Sequence, residues 1–136
     1  MTAVTPNTTE NSQYSVVDKS LPLLFLRVEG LFVLVAAISL YAIQGYKGWV
    51  FVALLLAPDI PAFLWYALDK RSSSIGYNII HHYGIPVVLA ILGLLMGQAM
   101  MLQIALIWCA HIGMDRFFGY GFKYVGEFKK THFSNI

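Results

Sequence analysis

Polar and apolar positions along this chain separate into four long apolar stretches joined by short polar links. The stretches cover residues 21–43, 49–68, 74–95 and 101–118, and the links cover 44–48, 69–73 and 96–100. Each stretch approaches the roughly 20 apolar residues that a helix needs to cross the hydrocarbon of a bilayer. None alternates with a period of two, so helices are expected and strands are not. Links this short force neighbouring helices to run antiparallel. The pattern therefore predicts an all-α fold, an integral membrane four-helix up-down bundle. Pro58 and Pro61 bracket Asp59 in the second stretch and predict a kink there, because proline removes a backbone donor and clashes with the preceding turn. The kink should free the carbonyls of Leu54 and Ala57, and Pro86 should free that of His82 in the third helix.

Residues 1–20 are polar and rich in Thr, Asn and Ser, without the basic start and short apolar core of a signal peptide. They read as a flexible tail before an uncleaved first span. Residues 21–124 then form one four-span domain and residues 125–136 a C-terminal tail.

Composition sharpens this picture. Hydrophobic residues make up 58% of the chain and charged residues 12%, an imbalance that excludes a water-soluble globule of this size. The net charge of +2 comes with no basic patch, which argues against nucleic acid as a partner. A single cysteine, Cys109, rules out an intrachain disulfide. The lysines and arginines are distributed asymmetrically. Lys19, Arg27, Lys70, Arg71, Arg116, Lys123, Lys129 and Lys130 fall at the side of the two termini, and only Lys47 falls opposite. The positive-inside rule places both termini in the cytoplasm of a cell whose plasma (inner) membrane holds the protein as a multi-pass chain. Trp49, Trp65, Tyr66 and Tyr120 sit near span ends, where aromatic belts form. Gly93 and Gly97 form a small-xxx-small pair suited to close helix packing.

The chemistry lies in the ionisable residues inside the spans. Such groups are costly in a membrane and usually face a bundle interior or a wet cavity. Glu29, Asp59, His81, His82 and His111 lie seven to nine residues from the terminal-side end of their spans, and Asp115 lies three. At about 1.5 Å per residue the first five share a depth of roughly 10–14 Å. All four helices thus offer a carboxylate or imidazole at one level. His111 and Asp115 are four apart and share a helix face. Adjacent His81 and His82 point about 100° apart, so one of them faces inward. Asn78 shares a face with both. Residues 117–124, with Lys123, and later His132, form an aromatic segment that could close the mouth of the site.

Several of these segments carry a resemblance. Leu26-Arg27-Val28-Glu29-Gly30, Leu56-Ala57-Pro58-Asp59, Tyr77-Asn78-Ile79-Ile80-His81-His82-Tyr83, Ala110-His111-Ile112-Gly113-Met114-Asp115-Arg116 and Gly119-Tyr120-Gly121-Phe122-Lys123-Tyr124 stand in order along the chain. In this the chain resembles the bacterial membrane family catalogued as the domain of unknown function numbered four thousand two hundred and sixty. The resemblance covers nearly everything after residue 20 and implies a single helical membrane domain from a bacterium. It assigns no activity. A broader similarity, to membrane-bound metal-dependent hydrolases, carries over no ligand positions.

Two functional readings follow. In the first, Glu29, Asp59, His111 and Asp115 form the catalytic set of an enzyme acting on a lipidic or amphiphilic molecule in the bilayer. Here either His81, His82, His111 and Asp59 hold a divalent metal (imidazole with carboxylate suits Zn, Fe or Mn), or a metal-free set uses Asp59 or Glu29 as general acid and His111 as base, and Asn78 and Lys123 contact substrate. In the second, the same groups bind or pass a proton, ion or small solute, which with only four helices calls for a homo-oligomer. A buried hydrogen-bond network of purely structural role is the third possibility. Reporter fusions at Gly45 and Ile136 should report opposite sides of the membrane; the same side for both would break the four-span topology.

Overall fold

The computed structural model describes residues 20–124 and 127–131. Six α-helices make up four rods. Helix α1 (Ser20–Ile43) is the first, and α2 (Gly48–Leu54) with α3 (Asp59–Leu68) is the second. Helices α4 (Lys70–Ile80) and α5 (Gly84–Leu95) form the third, and α6 (Ala99–Phe118) the fourth. Residues 1–19 and His132 lie outside the described residues.

Three stretches, Leu21–Ile43, Gly48–Leu68 and Ser72–Leu95, are long and apolar enough to cross a membrane. Their large side chains, among them Phe25, Phe32, Trp49, Phe63 and Leu68, point outward. Water would oppose so much exposed apolar surface, whereas lipid accepts it. Helix α6 is less apolar because it is the most enclosed. It packs along α1 and α5 and buries Ala105, Ala110, His111, Ile112 and Gly113. Protein rather than lipid surrounds its polar residues.

The second rod is interrupted at residues 55–58, as the prolines require. The carbonyls expected to be free are taken up locally. Ala57 N–H donates to Leu54 O at 3.0 Å and Ile60 N–H to Ala57 O at 3.2 Å, so the break is a tight turn of i to i+3 bonds. The third rod is also broken, at 81–83, where the sequence suggested only a freed carbonyl. Both restarts read alike, Asp59-Ile60-Pro61 and Gly84-Ile85-Pro86, with proline third in the new helix. First-turn N–H groups need no intrahelical acceptor, so proline is tolerated there.

Helices α1 and α6 cross at glycines. A Cβ on Gly30 would stand 2.7 Å from Gly113 O, and one on Gly113 would stand 2.8 Å from Gly30 O. The two backbones therefore touch, which only hydrogen side chains permit. Of the pair expected for packing, Gly93 does lie buried against the start of α6, but Gly97 serves the α5–α6 turn at φ +64°. After α6, β1 (Lys123–Tyr124) pairs antiparallel with β2 (Glu127–Thr131), and this ladder lies along α4. The argument against strands concerned only the long apolar runs, and this short ladder lies beyond them.

Replacing Gly30 or Gly113 with Ala should lower thermal stability in detergent, because overpacking a tight contact costs about 1–3 kcal/mol. Gly48→Ala, with nothing within 4 Å of the new methyl, should leave the melting temperature unchanged or slightly raised. Equal melting temperatures for all three variants would show that the glycine crossing is not tight.

Candidate metal centre

Asp59, His81, His111 and Asp115 converge inside the bundle, each offering one ligand atom, and those four atoms all lie within 4.8 Å of one another. Asp59 is the first residue of α3, just past the break, and His81 is the first residue after α4, where the third rod breaks. His111 and Asp115 stand one turn apart on unbroken α6. Two ligands thus come from helix interruptions, where irregular backbone can line a site at membrane depth. The other two come from the continuous helix between them.

His81 Nε2 lies 3.0 Å from His111 Nε2 and 3.2 Å from Asp59 Oδ1. It lies 3.4 Å from Asp115 Oδ2, while His111 Nε2 lies 3.5 Å and 3.7 Å from the same two carboxylate oxygens. Ligands bound at about 2.0–2.1 Å around a tetrahedral ion stand roughly 3.3–3.4 Å apart. The five separations straddle that value, so a cation placed among them would meet normal bond lengths with little movement.

The partners of each ring fix where some of the hydrogens lie. His81 Nδ1 lies 2.9 Å from the carbonyl oxygen of Tyr77. A carbonyl only accepts, so a hydrogen sits on Nδ1 and the other ring nitrogen, Nε2, is the one that faces the cluster. His111 is fully buried, and the Leu55 backbone is a polar group set against its ring. One hydroxyl, that of Tyr77, donates into the cluster, reaching Asp115 Oδ2 at 3.2 Å. Two carboxylates and two imidazoles therefore converge with few hydrogens between them.

Tyr77 organises much of this. It lies one turn before His81 on α4, its ring stacks on the imidazole at 3.7 Å between centroids, and its carbonyl and hydroxyl hold His81 and Asp115. Such outer contacts fix the tautomer and aim of metal-binding imidazoles. Sequence reasoning missed Tyr77, although its spacing of four from His81 was a usable signal. Trp108 was missed as well. Its indole N–H donates to Ile80 O at 2.8 Å, capping a carbonyl that the break in the third rod leaves without a helical partner.

The remaining sequence candidates lie elsewhere. Glu29 is exposed on α1 and stands outside the cluster, which corrects the expectation that all four helices contribute. The next residue, Gly30, is the one buried against α6, and consecutive helix positions point about 100° apart. Packing that glycine thus turns Glu29 away. His82 is also exposed. Its Nδ1 accepts the Gly84 N–H at 3.0 Å and its ring faces Phe122, so His81 is the inward member of the pair. Asn78 lines a separate outer groove with Ile79, His82 and Phe122. Lys123 begins β1, and its side chain falls outside what is described.

Two cavities flank the cluster. Toward the termini, Tyr77, His81, Asp115, Arg116, Tyr120 and Phe122 border a polar space of about 10 Å³, the size of one water molecule. On the other side, one turn deeper, lies an apolar cleft of about 350 Å³. Its walls include Ala57, Pro58 and Ile80 next to the ligands, and the exposed Leu54, Pro61 and Ile104 at the outer surface of the bundle.

Residues 23–136 match the family described as Domain of unknown function (DUF4260), and the chain belongs to that family. No curated protein and no solved structure matches the chain.

Trp108→Phe should destabilise the protein by about 1 kcal/mol, the lower end of the cost of leaving an acceptor unpaired, because the Ile80 carbonyl is half-buried. Thermal unfolding in detergent measures it, and an unchanged midpoint would show that the Ile80 carbonyl finds another donor.

Proposed function

We propose that this chain is a membrane-embedded, metal-dependent enzyme in which Asp59, His81, His111 and Asp115 hold a divalent zinc, iron or manganese ion and act on a lipidic or amphiphilic substrate. The observation that carries this reading is the convergence of four ligand atoms at metal-ligand spacing in the interior of the bundle. Mixed imidazole and carboxylate ligands suit all three metals. A bound ion would polarise the substrate and lower the pKa of a coordinated water. Iron or manganese would keep open positions beyond the four protein ligands, and zinc can expand to five. The water-sized space against His81 and Asp115 suits such a water.

The polar set sits nearer the termini, and the positive-inside bias places it in the cytoplasmic half of a bacterial inner membrane. A transport path would need polar groups through both leaflets. In the opposite half, Gln103 donates to Tyr41 Oη at 2.8 Å, which donates to Lys47 O at 3.0 Å, forming a closed rim. Between this rim and His111, α6 presents buried Ala105, Leu106 and Ile107. That apolar layer favours a pocket open to one side over a channel.

Detergent-purified protein analysed by inductively coupled plasma mass spectrometry should carry close to one divalent ion per chain, and His111→Ala should lose it. Asp59→Leu, His111→Leu and the double variant separate function from scaffold. A functional site predicts that all three keep their melting temperature while losing metal. A structural network instead predicts two destabilised singles and a restored double, since removing both partners of a buried pair can be nearly neutral. That second pattern, without metal in the native chain, would refute the enzyme reading.

A further inference from the structure

Resting on the metal-centre reading, we infer the class of substrate: a single-chain amphiphile bearing an anionic group, phosphate or carboxylate, with the anion on Arg116 and the chain in the apolar cleft. Charge is the first argument. Two aspartates would balance a divalent ion, so the guanidinium of Arg116 beside them would not be needed to offset their charge, and Glu29 is a further carboxylate near its Tyr83 partner. The two histidines and the two aspartates of the cluster pair with one another. Arg116 borders the same water-sized space as His81 and Asp115 and is itself only half-buried, so an anion would meet it from its open side. It is held there from two sides, its guanidinium carbon lying 4.6 Å from the centre of the Tyr83 ring and 5.5 Å from that of Phe122. Aromatic faces attract and orient a cation without neutralising it. The planar fork of donors remains available for a bidentate oxyanion.

A second guanidinium stands at the same mouth. A Cβ on Gly119 would lie 3.0 Å from Arg27 Nη2, so this side chain from α1 rests on the left-handed glycine that ends α6, next to Tyr120. Positive charge thus gathers where the site meets the terminal-side surface, the position a headgroup would occupy.

The cleft supplies the other half of the molecule. Its walls, Leu54, Ala57, Pro58, Pro61, Ile80 and Ile104 among them, are apolar, and its volume of about 350 Å³ is at the small end of ligand pockets, sized for one chain. It adjoins the cluster through Pro58 beside Asp59 and through Ile80 beside His81. An anion at Arg116 and a chain in the cleft therefore lie on opposite sides of the four ligands. The bond joining head to chain falls at the metal.

Isothermal titration of metal-loaded protein in phosphatidylcholine nanodiscs, corrected with empty nanodiscs, tests this with dodecyl phosphate, dodecanol and inorganic phosphate. Dodecyl phosphate should bind saturably, one per chain, at least tenfold more tightly than either of the others. Arg116→Gln should weaken it at least tenfold, and Arg116→Lys, which keeps the charge and loses the fork, by a smaller factor. Ile104→Trp, which fills the cleft, should weaken dodecyl phosphate and leave inorganic phosphate unchanged. Unaltered binding of dodecyl phosphate to both Arg116 variants would overturn the proposal. So would inorganic phosphate binding as tightly as dodecyl phosphate, which would make this a free-anion site. Metal content measured on the same samples keeps the two readings apart. Arg116-dependent binding by a chain that holds no metal would preserve the anion site and remove the metal centre.

Discussion

The site depends on one electrostatic requirement, positive charge at the point where Asp59, His81, His111 and Asp115 meet. Lone pairs brought together in a low-dielectric interior repel. The Tyr77 carbonyl fixes the hydrogen of His81 on Nδ1 and so commits Nε2 to the cluster. The Tyr77 hydroxyl donates to Asp115 Oδ2. Positive charge can come from protons shared within the His–Asp pairs, and a divalent cation would meet all four groups at once.

Bringing four ligands to one point imposes demands on the backbone. An intact helix presents ligands only along its own face, as α6 does with His111 and Asp115. The other two come from rods interrupted at the level of the site. Each interruption ends in a restart with proline third, which stabilises the start of a helix without removing any bond that helix needs. The loose backbone groups are then retired by neighbours. Tight i to i+3 bonds serve Leu54 and Ala57, and the Trp108 indole serves Ile80. Contact between Gly30 and Gly113 brings α1 against the middle of α6 and helps shield the helix that carries half of the site from lipid.

The fold was legible because membrane crossing leaves a strong record in sequence. Helix number, short links and the kink at Pro58 all follow from apolar run length and proline chemistry. The break at 81–83 was legible only in hindsight, since Pro86 and Gly84 flagged it without saying how far the helix would yield. Depth along the chain placed Asp59, His81, His82 and His111 at one level but carried no information about direction around each helix. Direction decided the outcome for Glu29 and His82, and it was set by contacts far apart in sequence, the glycine crossing in one case and the break in the other. Asp115, apparently too shallow, joins the cluster because it follows His111 by one turn on the same face. Tyr77 escaped notice because a tyrosine near a membrane interface has an ordinary explanation.

Helix α6 shows how polarity and position explain one another. It is the only rod that falls short of the apolar composition of a membrane-crossing helix, and it is also the one with the most buried residues. Hydropathy measures fitness for lipid, so a helix wrapped by other helices is free of that constraint and can carry His111, Asp115 and Arg116. Those three residues are not spread along it. They gather at the terminal-side half, beside the water-sized space, while Ala105, Leu106 and Ile107 form a dry layer beneath them. The apolar cleft opens at that dry level, toward the outer surface of the bundle. A site built this way has a wet side and an oily side separated by its four ligands, the division an amphiphilic substrate would match.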